Sequence, residues 1–127
     1  MVKTLRVVGL PEAWSRPIPL PNGGMHSPKS KWHVNVFGEA ICSRPFVPFS
    51  GPVALTAVFM FPLIKKPAHK LWKATRPDVD NLIKTIMDAL TEAKWWGDDG
   101  IVVRLVGEKR FVAEPEPPGA VITVQEL

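Results

Sequence analysis

Four aspartates bracket one stretch of this sequence. RPDVDNLIKTIMDAL carries Asp78 and Asp80 just ahead of an amphipathic run, and TEAKWWGDDG carries Asp98 and Asp99 just beyond it. Carboxylates are hard oxygen donors, and Mg²⁺ keeps several of its waters, so two or three of them suffice to hold such an ion. An ion held that way polarises a phosphoryl oxygen and supplies hydroxide near neutral pH. In an extended segment side chains two apart project to the same side, so Asp78 and Asp80 can face one ion. Lys84, one turn beyond Asp80, is placed to neutralise charge developing on a pentavalent phosphate. The same residues also fit plainer roles. Asp80 suits a helix N-cap, Asp78 a residue of the preceding turn, Asp98-Asp99-Gly100 a turn, and Lys84 a solvated helix face.

The element that must position these groups is a helix over residues 81–93. Its apolar stripe is Leu82, Ile83, Ile86, Met87 and Leu90, with Lys84 and Asp88 on the other side. Such a helix is roughly 20 Å long, so Asp98 and Asp99 approach Asp80 only if KWWGDDG doubles back, which Gly97 permits.

Around this centre the spacing predicts a first strand over residues 3–9, in which Lys3, Leu5 and Val7 alternate with Thr4, Arg6 and Val8. PIPLPNGGMHSP reads as a proline and glycine loop without packed structure. Ser30 is positioned to cap a short helix over residues 31–43, with Trp32, Val36 and Ala40 at spacing four and Pro45 beyond its end. VALTAVFMF, apolar on nearly both faces, predicts a central strand covered on both sides. Residues 101–112 and the terminal AVITVQEL predict two more strands. Four strands that do not alternate regularly with two helices indicate an α+β fold, a small mixed sheet packed with two helices.

At 127 residues and 46% hydrophobic, the chain fits a single domain with an unstapled core, residues 1–127. Its one cysteine, Cys42, excludes an internal disulfide and a cysteine-based zinc site. His26, His33 and His69 lack metal-ligand spacing. MVKTLRVVGLPEAW lacks the long apolar core of a signal peptide, and no apolar run approaches the roughly 20 residues of a membrane span, so a cytoplasmic protein is expected. Charge is divided along the chain. Residues 1–77 hold 11 Lys/Arg and two acids, whereas residues 78–127 hold five Lys/Arg and 10 acids. Cations that hold phosphates beside carboxylates that hold a metal suit an enzyme of nucleic acids.

The segment RPDVDNLIKTIMDALTEAKWWGDDGIVVRLVGEKRF resembles the RusA family of Holliday junction resolvases, in its Asp-x-Asp-Asn-Leu-x-Lys helix with Asp-Ala-Leu, its Trp-x-Asp-Asp turn and its strand ending in lysine. The resemblance implies a Mg²⁺-dependent, homodimeric endonuclease that nicks paired strands of four-way DNA junctions. It carries the family's essential acids onto Asp78, Asp80 and Asp99, as metal ligands, and its essential lysine onto Lys84. Asp98 receives a lesser role. Asp88, Asn81 and Lys109 match family positions, and Gly100-Ile101 departs from the glutamine often found after the acidic turn.

One further feature bears on DNA. Lys65, Lys66, Lys70, Lys73 and Arg76 lie between Pro62 and Pro77 with no acid among them, together with Trp72. These cations are expected to contact phosphates, and Trp72 to stack on an unpaired base. Two other readings remain at this level: a non-catalytic junction-binding protein, and a metal nuclease acting on other branched DNA.

Overall fold

The computed structural model describes residues 1–13, 17–26 and 29–127. Strand β1 spans Val2–Val8, β2 Ile18–Pro19, β3 Met25–His26, helix α1 Lys31–Cys42, strand β4 Val53–Pro62, helix α2 Val79–Glu92, β5 Val102–Val112 and β6 Gly119–Glu126. The main sheet has the order β1-β6-β4-β5. Its β1/β6 and β6/β4 pairs are antiparallel and β4/β5 is parallel, so the sheet is mixed and the fold is of the α+β class. Within PIPLPNGGMHSP, which the composition assigns to unstructured loop, β2 and β3 form a two-residue antiparallel ladder. Both strands are exposed, so this hairpin is held by backbone pairing rather than by a core.

Both helices lie on one face of the sheet. Leu5, Val7, Leu55, Ala57, Phe59, Ile122 and Val124 point into that face and join Trp32, Val36, Ala40, Leu82, Ile86, Ala89 and Leu90 in one core. The period of two along β4, buried at Val53, Leu55, Ala57, Phe59 and Phe61 and half-buried between them, shows that only one side is covered. The sequence expectation for β4 is thereby corrected: the strand is central, but Ala54, Thr56, Val58 and Met60 face away from the helices. Its apolar run reflects small and β-branched residues on a half-open face rather than a second covering layer.

Local chemistry explains the helix ends. Ser30 caps α1 by accepting from the His33 amide at 3.0 Å. At the far end of α2, the Trp95 amide donates to the Leu90 carbonyl at 3.0 Å and the Lys94 amide to the Thr91 carbonyl at 3.1 Å. This paired pattern reverses the chain through a left-handed residue, here Lys94 with φ 65°. Trp95 and Trp96 are then carried inward, fully buried, with indole N–H groups donating to the Ala40 carbonyl at 2.8 Å and the Thr91 hydroxyl at 2.7 Å. The two tryptophans anchor the turn that bears Asp98 and Asp99.

Candidate active site

Helix α2 begins one residue after Asp78, not after Asp80. Asp78 is the N-cap residue, with extended backbone and no hydrogen bond from its own side chain to the helix, so its carboxylate is not consumed by capping. Asp80 sits in the first turn, where its Oδ1 accepts from the Asn81 amide at 2.9 Å. The extended spacing that would align the two side chains is therefore interrupted, and both acids instead crowd the helix N-terminus. There the aligned peptide dipoles favour negative charge. Both are exposed.

Lys109 secures the approach to this end. It lies on the helix-facing side of β5, in register with Phe59, and its Nζ donates to the Thr75 carbonyl at 2.7 Å and the Pro77 carbonyl at 2.8 Å. Burial lowers its pKa from the usual lysine value, nearby Asp78 opposes that, and Lys73 adds to it. Two residues earlier, Gly107 lets α2 close onto the strand. A Cβ there would stand 2.5 Å from Ile83 Cδ1 and 2.8 Å from Val79 Cγ2.

Asp99 returns toward the middle of α2. Asp98 caps the short 3-10 turn Asp99–Ile101 by accepting from the Gly100 amide at 3.3 Å, leaving Asp99 half-buried. Its charge acts on Asp88. The Asp88 carboxyl is held above its usual pKa by burial first and by Asp99 and Glu92, while Lys84 and His33 pull it down. Asp80, Lys84, Asp88 and Glu92 follow one another at spacing four and form one polar line along the helix. His33 of α1, nearly buried, closes that line with Nε2 3.4 Å from Glu92 Oε1, while Lys29 donates to Glu92 Oε2 at 2.8 Å. Burial alone would raise the Glu92 pKa, but the Lys29 hydrogen bond and charge, with His33 beside the carboxylate, bring it below the usual value.

The expected residues are therefore distributed in two groups. Asp78 and Asp80 stand at the N-terminus of α2, and Asp99 stands beside Asp88 further along, with Lys84 one turn from both Asp80 and Asp88. Among the described residues, no three Asp, Glu, His or Cys side chains come close enough together to hold one ion. The donor chemistry nevertheless suits a hard cation: two unsequestered carboxylates are enough for Mg²⁺ when water and phosphate oxygens complete its shell. Asp88 and His33 are the participants that sequence reasoning left without a role. Spacing four from Lys84 was the available signal for Asp88; nothing local signals His33, which reaches the line only through packing of α1 on α2.

The basic segment is less free than its composition suggests. Leu71 and Lys73 bond to the outer side of β5, with the Phe111 amide donating to the Leu71 carbonyl at 2.9 Å and the Lys73 amide to the Lys109 carbonyl at 3.1 Å. Lys73 Nζ lies 5.1 Å and 5.6 Å from the ring centres of Phe61 and Phe111 and donates to the Thr75 hydroxyl at 3.1 Å. Lys65, Lys66, Lys70 and Arg76 are exposed. Trp72 pairs with Arg110, which packs 5.4 Å from its ring centre on the sheet face opposite α2. The stacking surface expected of Trp72 is thus turned away from the acids and partly covered.

Residues 25–125 match the family described as Endodeoxyribonuclease RusA. Over 58 residues the chain is 34% identical to the crossover junction endodeoxyribonuclease rusA of Lactococcus phage r1t, a match covering 46% of this chain and 44% of that protein. No helix is long and apolar enough to cross a membrane. The chain belongs to the RusA family of endodeoxyribonucleases.

Proposed function

We propose that this chain, acting as one domain over residues 1–127, is a Mg²⁺-dependent endodeoxyribonuclease that resolves four-way DNA junctions by paired nicks. It works as a homodimer in the cytoplasm, in DNA recombination and repair. The observation that carries this reading is the pair of exposed carboxylates at the start of α2, with the Asp78 side chain left uncommitted by capping.

In this reading Asp78 and Asp80 would hold the metal at the start of α2, and Asp99 would join them as the third ligand only where the acidic turn closes on the helix N-terminus. Bound Mg²⁺ supplies a polarised phosphoryl oxygen and a water acidic enough to attack near neutral pH. Lys84, between the two groups of acids, holds positive charge where negative charge develops on the phosphate. Lys109 keeps the chain before Asp78 in place, and Asp98 fixes the turn that presents Asp99. Lys65, Lys66, Lys70, Lys73 and Arg76 bring the DNA backbone toward the helix N-terminus, an attraction that weakens with salt. Two nicks at symmetrical positions require two such sites related by a two-fold axis.

The test uses end-labelled four-way junctions, flaps and forks, each with Mg²⁺ or with EDTA. Symmetrical nicks confined to the junction and to Mg²⁺ are the expected result, and Asp80→Asn should bind the junction without cutting it. Binding without nicks under any condition would assign a junction-binding protein instead. Preferential cutting of flaps or forks would assign another branched-DNA nuclease.

A further inference from the structure

A concave surface lies beside the acidic turn. Phe49, Ser50, Lys94, Trp96, Asp98 and Ile101 line a cavity of about 540 Å³, within the roughly 300–1,000 Å³ of small-ligand sites. Its frame is tied together by the backbone, with the Phe49 amide donating to the Trp95 carbonyl at 2.8 Å and Phe49 bridging Trp96. Phe49 and Trp96 are buried and give it an apolar floor. Three polar groups stand in this apolar frame. Among the described residues the Ser50 hydroxyl and the Lys94 ammonium make no hydrogen bond or ion pair, and Asp98 spends only Oδ2, on the Gly100 amide at 3.3 Å.

Lys94 is held there against its own backbone preference. Its φ of 65° lies in the left-handed region, which glycine enters without the conflict that a Cβ brings. Strained positions of this kind collect where a site needs the side chain that they carry. The plain alternative is a cation at the C-terminal end of α2, where the helix dipole favours positive charge. That role involves no cavity and is indifferent to the form of any DNA that binds.

We propose that this cavity takes one unpaired base of a DNA junction, with Lys94 on the phosphate beside it. The proposal rests on the junction-nuclease reading for its ligand. A base is a flat, largely apolar ring with donors and acceptors at its edge, which matches an apolar floor with polar groups at the rim. Asp98 Oδ1 can accept from an exocyclic amine, and the Ser50 hydroxyl can serve either a donor or an acceptor. The loop that supplies Phe49 and Ser50 also leaves Phe46 fully exposed, an aromatic side chain of the kind on which bases stack. Along the helix direction Lys94 stands roughly 9 Å beyond Asp88, at about 1.5 Å per residue. One DNA strand advances about 3.4 Å per nucleotide. The base held beside Lys94 is therefore about two or three nucleotides from the phosphate that passes the acidic turn, close enough to be a base at the branch point.

Binding in EDTA tests this apart from cutting. The probes are a four-way junction, the same junction with a single abasic site at each position within about three nucleotides of the branch point, and a plain duplex of the same sequence. Gly97 also lines the cavity, and a Cβ there meets nothing, so Gly97→Leu fills space in the cavity without a clash. One of the abasic sites should weaken wild-type binding about tenfold, the order expected for one stacked base. Gly97→Leu should lose the same factor on the intact junction, lose nothing further on that abasic junction, and bind the duplex as wild type does. Lys94→Gly, whose backbone is relieved, should flatten the salt dependence of junction binding by about 0.7–0.9 logarithmic units, one phosphate contact. Equal losses by Gly97→Leu on junction and duplex, or additive losses from Gly97→Leu and the abasic site, would overturn the proposal. So would an unchanged salt slope in Lys94→Gly, which decides the matter by itself if a melt shows Gly97→Leu unfolded. A protein that binds junctions in this way and nicks none of them in Mg²⁺ sinks the nuclease reading alone. One that nicks junctions symmetrically while folded Gly97→Leu binds them normally sinks this proposal alone.

Discussion

Lys109 and Pro77 are joined across 32 positions of sequence by a 2.8 Å hydrogen bond from the lysine Nζ to the proline carbonyl, one residue before Asp78. Together with the bond to the Thr75 carbonyl at 2.7 Å, it fixes the strand of entry into α2 against β5. The first acid of the site is thus positioned by a lysine that touches no carboxylate through a hydrogen bond.

Lys109→Met keeps most of the apolar stem but removes both bonds. Hydrogen bonds from charged donors contribute about 1.5–3 kcal/mol, and partial exposure reduces this, so a loss of about 1–2 kcal/mol and several degrees of Tm is expected. Junction nicking should fall by more than the small change in folded population explains, because Asp78 loses its support. Urea melts and nicking rates measured at a temperature where both proteins are folded check this. Equal nicking by the two proteins would remove Lys109 from any positioning role.

Lys94 holds a left-handed conformation, φ 65°, that suits glycine. Lys94→Gly should stabilise the fold by about 0.5–1 kcal/mol, since the Cβ conflict it relieves outweighs the extra freedom of glycine in the unfolded chain. Differential scanning calorimetry should show a Tm rise of a few degrees. The backbone bonds from residues 94 and 95 do not involve the lysine side chain, so the tryptophan anchors should remain.

Asp88 has a folded-state pKa above its usual 3.8, through burial and then through Asp99 and Glu92 against Lys84 and His33. A carboxyl with a raised pKa binds its proton more readily in the folded state. Its ionisation therefore costs stability above the folded pKa, and the cost disappears as pH falls below 3.8. Asp88→Asn should raise Tm at pH 7 and leave it nearly unchanged near pH 3. Glu92 runs the other way. Its lowered pKa contributes stability above the usual 4.5 that is lost as pH falls through the folded value. Melts of Asp88→Asn and Glu92→Gln from pH 3 to pH 7 should therefore move in opposite directions at neutral pH.

The basic segment should separate into two behaviours. Substituting Lys65, Lys66 and Lys70 with Ala should weaken DNA binding and flatten its salt dependence by up to about 0.9 logarithmic units for each phosphate no longer neutralised. Lys73→Ala, which removes the packing of the ammonium on Phe61 and Phe111 and the bond to Thr75, should lower thermal stability as well. Titrations at several salt concentrations, with a melt of each variant, distinguish the two. An unchanged slope in the triple variant would return those lysines to a solvated surface.

Much of this molecule is legible one segment at a time. The apolar spacing of Leu82, Ile83, Ile86 and Leu90 specifies α2, Ser30 specifies the start of α1, and alternation specifies β1, β5 and β6, because each depends on neighbours within a turn or a pleat. The acids and the family pattern around them are likewise local. Tertiary structure decided the rest. Whether Asp78 or Asp80 caps α2 depends on how Lys109 holds the preceding carbonyls, and the one-sided burial of β4 depends on where both helices pack. His33 meets Glu92 only because α1 packs on α2, and Asp99 comes near Asp88 only because buried Trp95 and Trp96 turn the chain after Lys94. Those meetings join residues far apart in sequence, and their strength comes from burial and charge at a distance, which no local spacing encodes.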